Sequence, residues 1–343
     1  MTDGAAALSD RFDRRSVAKI LGGFLVAGGL VYLLGSVAGW AEVRRTLRDA
    51  RVRWLAVACL STLLGLAAWS QAWRVVLGCI GIEVPRGHLV VTYLAATFAN
   101  YVTPFGQAGG EPFIAYVLSQ DTGASYEDSL ASVVVTDLLN LLPFFNFAAL
   151  GFAVLVWRAR LPDAIRPLSY GLTALAVGVP VLAYVGWNHR QGVEAAILRL
   201  LSPLVGRTKR FAVEDIRARI DRFYASLEII ADEPREVLYT LVFSYTGWVF
   251  FTLPLYFGAL TLGLPLDPLL VLFIVPASTI AGLVPTPGGL GGVETALVAL
   301  LVALAPAIGT GEAFALATVY RVASYWFAVG VGGLGALYVV ARA

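Results

Sequence analysis

Apolar residues along this chain fall in long unbroken blocks, not in alternating or striped patterns. The blocks 20–40, 54–73, 138–157, 167–187, 237–266, 268–294 and 322–341 contain almost no charge. A membrane helix needs about 20 such residues to cross roughly 30 Å of hydrocarbon. Lipid offers the backbone no hydrogen bonds, so runs of this kind must be helical. Trp40, Trp54, Trp157 and Trp187 stand at block ends, where an amphipathic ring prefers the headgroup layer. Together these features predict six full spans, at about 17–39, 54–78, 129–157, 167–187, 236–262 and 313–341.

Two apolar regions do not fit a simple span. Regions 87–119 and 268–308 are each broken near the middle by a Gly/Pro cluster. The first leaves pieces 87–102 and 112–119, and an eight-residue helix reaches only about 12 Å. Both regions are therefore expected to be re-entrant hairpins. The predicted fold is an all-α polytopic membrane protein with six spans and two oppositely oriented hairpins. A short cytoplasmic segment, 1–16, precedes a single membrane domain, 17–343.

Composition agrees with this picture. The chain of 343 residues is 58% hydrophobic and 14% charged, against about 45–50% and 25% in soluble domains. No stretch outside the blocks could hold a typical catalytic fold, and no basic tract points to nucleic acid. The two cysteines, Cys59 and Cys79, support neither a disulfide framework nor a zinc site; no metal or cofactor is expected. Block 20–40 is too long for the apolar core of a cleavable signal, so it reads as the first span.

The charge distribution orients the chain. With the N-terminus inside, the inner segments hold 15 Lys/Arg and the outer ones 8, which favours cytoplasmic N- and C-termini in a cell membrane. Arg44, Arg45, Arg48, Arg51 and Arg53 fall on the outer side; an amphipathic helix on anionic headgroups would accommodate them. Segment 188–236 carries nine Lys/Arg and eight Asp/Glu, with Leu198, Leu201, Phe211, Ile216, Ile220, Phe223 and Leu227 at helical spacing. It is expected to form one or two amphipathic helices on the cytoplasmic face.

An internal repeat is visible. At a constant offset of 182, Ala95, Thr97, Ala99, Val102, Gly106, Gly109 and Gly110 match Ala277, Thr279, Ala281, Val284, Gly288, Gly291 and Gly292. Gly81 and Gly263 keep the same offset, and a glutamate follows each Gly-Gly pair: Glu111 and Glu294. The first repeat covers about 54–157 and the second about 236–341. In the predicted topology the two have opposite orientation. Inverted repeats with broken helices place transporter binding sites at their interface. Isolated glycines would instead serve close helix packing.

Five ionisable residues lie within the apolar regions: Arg74, Glu111, Asp137, Glu294 and Arg321. A charge at a helix centre costs at least about 2.5–3.5 kcal/mol, so such groups face a partner or water. Arg74, near a span end, could instead snorkel. Asp137 could serve a structural salt bridge. In Gly109-Gly110-Glu111-Pro112, Pro112 suits a helix start, and the free N–H groups there attract anions. Gly106, Gly109, Gly110, Pro287, Gly288, Gly291 and Gly292, with the two arginines, thus form a candidate phosphate or carboxylate site. Glu111, Asp137 and Glu294 would bind a cation or proton, or pair with an arginine.

The stretch N-Y-V-T-P-F-G-Q-A-G-G-E-P at 100–112 resembles the first signature of the lysylphosphatidylglycerol synthase transmembrane-region family. P-T-P-G-G-L-G-G-V-E at 285–294 resembles its second, and Ala72-Trp73-Arg74, Asp137 and Arg321 look like its membrane charges. The resemblance spans about 17–341. It implies the flippase region of the multiple peptide resistance factor, which moves aminoacylated phospholipid between leaflets. The chain stops at Ala343, so the synthase domain, and with it aminoacyl transfer, is not expected. The expected function is translocation of an anionic or polyprenyl-phosphate lipid, with a separate lipid-modifying enzyme or a second copy as partner. The alternatives are a secondary transporter of a small soluble solute and a membrane-embedded transferase.

Overall fold

A computed structural model describes residues 25, 28, 29, 31–33, 35–103, 115, 118, 119, 123–157, 166–205, 213–283 and 286–342. Among them there is no strand. Most of the predicted first span, and Gly106, Gly109, Gly110 and Glu111, lie outside the described residues. The helices are α1 (Trp40–Arg48), α2 (Val52–Cys79), α3 (Arg86–Val102), α4 (Tyr126–Trp157), α5 (Arg166–Asn188), α6 (Arg190–Val205), α7 (Val213–Ala231) and α8 (Pro234–Leu262). They continue as α9 (Val271–Ile280), α10 (Gly292–Leu304), α11 (Thr310–Arg321) and α12 (Phe327–Arg342).

Five described segments are long and apolar enough to cross a membrane: Val52–Cys79, Tyr126–Trp157, Pro234–Leu262, Pro287–Leu304 and Thr310–Val339. Helix α5 forms where the fourth span was predicted. The segment Pro287–Leu304 reaches 18 residues only by including a short 3-10 turn at Pro287–Gly289. Its continuous helix, α10, has 13 residues, about 20 Å. Helix α9 has 10 residues, about 15 Å. The two pack on each other, and Gly289 lies directly against Gly282 at the turn between them. Region 268–308 is thus a helical hairpin with short arms.

The repeat reappears as geometry. Helices α2 and α8 begin at Val52 and Pro234, 182 residues apart, and end before Gly81 and Gly263. Both glycines have positive φ, 78° and 68°, the left-handed conformation that closes helices at low steric cost. The helical stretches that open the two interrupted regions begin at Arg86 and Pro268, again 182 apart. The most extensive helix pairing is α2 with α8. At their crossing, Gly65 meets its own repeat counterpart: a methyl on Gly65 would lie 3.1 Å from the Gly247 carbonyl oxygen. Trp69 and Phe251, also 182 apart, have ring centroids separated by 5.3 Å.

The leading helix of each interrupted region packs on the other repeat. Helix α3 lies along α12, and α9 lies along α4. Small residues permit both approaches: Gly332 faces the Leu94 carbonyl, and Gly151 faces the backbone of Phe273. Removing side-chain bulk lets helices approach closely where lipid gives no hydrophobic drive for association.

The two ends of the bundle are distinct. At one, α7 docks on the start of α4. Ser226 donates to Asp128 at 2.6 Å, the Tyr224 hydroxyl donates to the Gly186 carbonyl at 2.9 Å, and Arg222 pairs with buried Glu127 at 3.6 Å. The mixed-charge segment therefore forms two helices, α6 and α7. At the other end, the Arg51 N–H donates to the Thr261 carbonyl at 2.8 Å. There α1 turns Val43 inward, sets Trp40 edge-on to Phe314 at 5.8 Å and lays Glu42 against Gly311. The apolar side of α1 thus rests on protein, while Arg44, Arg45 and Arg48 stay exposed. Segments 119–128 and 188–235, which the charge count assigned to the same side, share one end of the bundle.

Candidate functional site

The turn between α9 and α10 is held from within. Gly288, Gly289 and Gly291 have φ of 56°, 63° and 87°, a region that disfavours side chains. A methyl on Gly288 would overlap the ring of Tyr325. Thr286 donates its hydroxyl to the Leu290 carbonyl at 2.8 Å. Gly292 opens α10, and Glu294 occupies its third position, where one carboxylate oxygen accepts the Gly291 N–H at 2.6 Å. An acidic side chain here satisfies a free donor and complements the helix dipole.

Arg321 completes the arrangement. Its Nε donates to the other Glu294 oxygen at 2.7 Å and its Nη2 to the Gly288 carbonyl at 2.8 Å. The guanidinium stacks 4.3 Å over the Tyr325 ring. Glu294 is 4% exposed and Arg321 9%. Arg321 ends α11, eleven residues after Thr310, so it sits about 17 Å from the helix start. The depth rules out snorkelling to that end. Both buried charges are paired and hydrogen-bonded, the arrangement in which desolvation is tolerated.

The structure gathers Pro287, Gly288, Gly291, Gly292, Glu294 and Arg321 into one cluster. It gives Glu294 the arginine partner, one of the roles considered from sequence. One N–H expected to face an anion, that of Gly291, is already taken by Glu294. Asp137 stands half-buried on α4, one turn beyond Val133, which shares an apolar cluster with Trp73 and Leu77.

Arg74 belongs to a different place. It lines an open groove of about 600 Å³ with Gln71, Val75, Arg86, Tyr239 and Phe243. It lies five positions before the end of α2 at Cys79. An adjoining groove of about 410 Å³ shares Arg74 and Val75 and adds Gly78, Cys79, Glu233 and Glu236. Neither Arg74 nor Arg86 forms an ion pair with a described residue. Arg86, Tyr239, Glu233 and Glu236 were not identified from sequence. They come from two helix starts, those of α3 and α8, and only the packing of both on α2 brings them to Arg74. Tyr325 was also missed. Its position four after Arg321 places it on the same helix face, the one signal available.

This architecture defines a class: a polytopic helical membrane protein of two interlocked repeats, with a paired charge in its interior and an arginine groove at one end. The lysylphosphatidylglycerol synthase transmembrane region family matches residues 20–332, and the chain belongs to that family. Two proteins of Methanothermobacter thermautotrophicus, each named UPF0104 membrane protein, are similar to it. One is 24% identical, covering 92% of this chain and 94% of its own length; the other is 26% identical, covering 96% and 94%. The glycosyltransferase AglD of Haloferax volcanii is 24% identical over 95% of this chain but only 55% of its own length.

Proposed function

We infer that this chain is a lipid flippase for phosphate-bearing lipids, phospholipid or polyprenyl-phosphate in type, and not an enzyme. The observation that carries the reading is the groove around Arg74 and Arg86. Two guanidiniums that have no carboxylate partner among the described residues stand beside Val75, Tyr239 and Phe243. A phosphate fits the first set, and the start of an apolar tail fits the second. Charge-assisted hydrogen bonds from arginine are worth about 1.5–3 kcal/mol each.

The hairpins are read as re-entrant from opposite faces, since the continuous helices of the second, α9 and α10, run only 10 and 13 residues. With both termini cytoplasmic, the groove opens at the inner leaflet. The headgroup then passes between the interrupted segments while the tail stays in lipid. Membership of the family supports this reading. So does AglD: it bears the name of a glycosyltransferase and is nearly twice the length of the matched region, which suits a separate lipid-modifying enzyme as partner.

Reconstituted vesicles test the proposal. Fluorescent phosphatidylglycerol and a short polyprenyl phosphate should cross faster with protein than without, and Arg74→Gln with Arg86→Gln should slow this at least about tenfold. If no phosphate-bearing lipid moves while a soluble anion is taken up, the protein is a solute transporter instead.

A further inference from the structure

The end of the bundle opposite the Arg74 groove carries an arginine cluster of its own. Arg44, Arg45 and Arg48 of α1, with Arg51 and Arg53 just beyond it, are all exposed. None of the five forms an ion pair with a described residue. Acids at this end are engaged locally: Glu42 lies against Gly311, Asp267 accepts the Leu269 N–H at 2.9 Å, and Glu312 accepts the Gly309 N–H at 2.9 Å. Asp49 stands exposed beside the arginines, so the cluster keeps a net positive charge. The sequence predicted a helix lying on headgroups. Its apolar side packs on α11 instead, so α1 is fixed to the protein and its arginines face outward.

Height in the bilayer sets what such a cluster meets. Helix α2 runs unbroken from Val52 to Cys79. Arg53 and Arg74 stand 21 positions apart on it, about 32 Å at 1.5 Å per residue. That matches the roughly 30 Å of hydrocarbon between the two headgroup layers. Aromatic rings mark the same level as Arg53. Trp54 stacks on Phe257 at 6.0 Å, the Arg53 guanidinium lies 5.6 Å over Trp54, and Trp40 is partly exposed beside α1. Indole rings at such a level form the belt that membrane proteins set among headgroups. Leu47 and Val52 are exposed on the same surface, where they offer acyl chains an apolar contact next to the charges.

We propose that this cluster is a binding surface for anionic phospholipid, across the bilayer from the Arg74 groove. Lipid phosphates sit on Arg44, Arg45, Arg48 and Arg51, and the chains run past Leu47 and Val52. An acidic protein would match the charge but not the aromatic belt and apolar side chains at headgroup height. The surface gathers lipid by charge, and it does not rest on the flippase reading.

Quenching by spin-labelled lipid tests it. In a background with Cys59→Ala and Cys79→Ala, Leu47→Cys carries a bimane label in vesicles of phosphatidylcholine with a minor share of phosphatidylglycerol. Val52→Cys serves as a second reporter. A nitroxide on the acyl chain quenches the label wherever the spin-labelled lipid is adjacent. At equal content, phosphatidylglycerol should be enriched over phosphatidylcholine by about fivefold for each arginine it engages. The excess should vanish in protein with Arg44→Gln, Arg45→Gln and Arg48→Gln, and shrink at high salt. Equal quenching by the two lipids at both reporters overturns the proposal, as does an excess that survives the three substitutions. An excess lost instead with Arg74→Gln and Arg86→Gln would report the groove and overturn it too. Equal quenching, together with polyglutamate binding that the three substitutions abolish, would assign the surface to an acidic protein and reject the lipid. A persistent excess with no lipid crossing the vesicle leaves this surface standing and removes the flippase reading alone.

Discussion

Removing the Arg321 charge is the sharpest perturbation of the interior. Arg321→Met keeps a long unbranched side chain and deletes the guanidinium. Glu294 then loses the donor at 2.7 Å and the Gly288 carbonyl loses the donor at 2.8 Å. The carboxylate stays 4% exposed, with only the Gly291 N–H in contact. Breaking a buried pair by removing one partner costs about 3–5 kcal/mol, because the remaining charge is uncompensated. Glu294→Gln still offers an oxygen to Gly291 but strands Arg321, so a similar cost is expected. The double variant has no stranded charge and should cost less than the two singles combined, by at least about 2 kcal/mol. Reversible unfolding in mixed detergent micelles measures all three. A single variant within about 1 kcal/mol of the parent, or strict additivity in the double, would show that the pair is not coupled in the folded protein.

Other expectations follow from close approaches. Gly288→Ala forces a methyl into the Tyr325 ring at a residue with φ of 56°; a loss of about 1–3 kcal/mol is expected in the same unfolding assay. Gly247→Ala should destabilise more than Gly65→Ala. The first overlaps the Trp69 indole, whereas the second meets a carbonyl at 3.1 Å; equal midpoints would contradict this. Arg222→Ala should cost under about 1 kcal/mol, since the Arg222 side chain is 57% exposed. Gly311→Ala, which would displace Glu42, should loosen α1 and speed trypsin cleavage at Arg44, Arg45 or Arg48.

What could be read from sequence was whatever lipid imposes locally. Charge-free blocks and Trp boundaries located α2, α4, α5 and α8, because hydrocarbon penalises every exposed polar group in turn. The repeat was legible because glycines at 81 and 263, and at 288 and 291, meet backbone demands that no other residue meets cheaply. Glu294 and Arg321 stood out as charges where charges are costly. Their pairing did not follow from spacing, because they lie 27 positions apart, on different helices. Tyr325 looked like one more aromatic residue in an apolar run; only its packing against Gly288 and under Arg321 gives it a role. The arginines of α1 were visible as a cluster, but the docking of its apolar side on α11 depends on Gly311, far along the chain. Arg74 was noticed, whereas its neighbour Arg86 and the facing Tyr239 were hidden by the same non-locality.

The meeting of Gly65 with Gly247 has a consequence for ancestry. A residue can touch its own counterpart only where a rotation axis passes, so the surface that α2 offers to α8 is the surface α8 offers back. The exchange of α3 and α9 between halves obeys the same rule. Each half therefore carries both sides of a self-complementary interface. A gene for one half alone would have specified an antiparallel homodimer, with one subunit inserted upright and the other inverted. Fusion through the segment around α6 and α7 would have fixed that opposed pairing and left each half free to diverge. Arg74 and Arg321, whose counterparts at the 182 offset are Tyr256 and Leu139, are where the two halves depart from that symmetry.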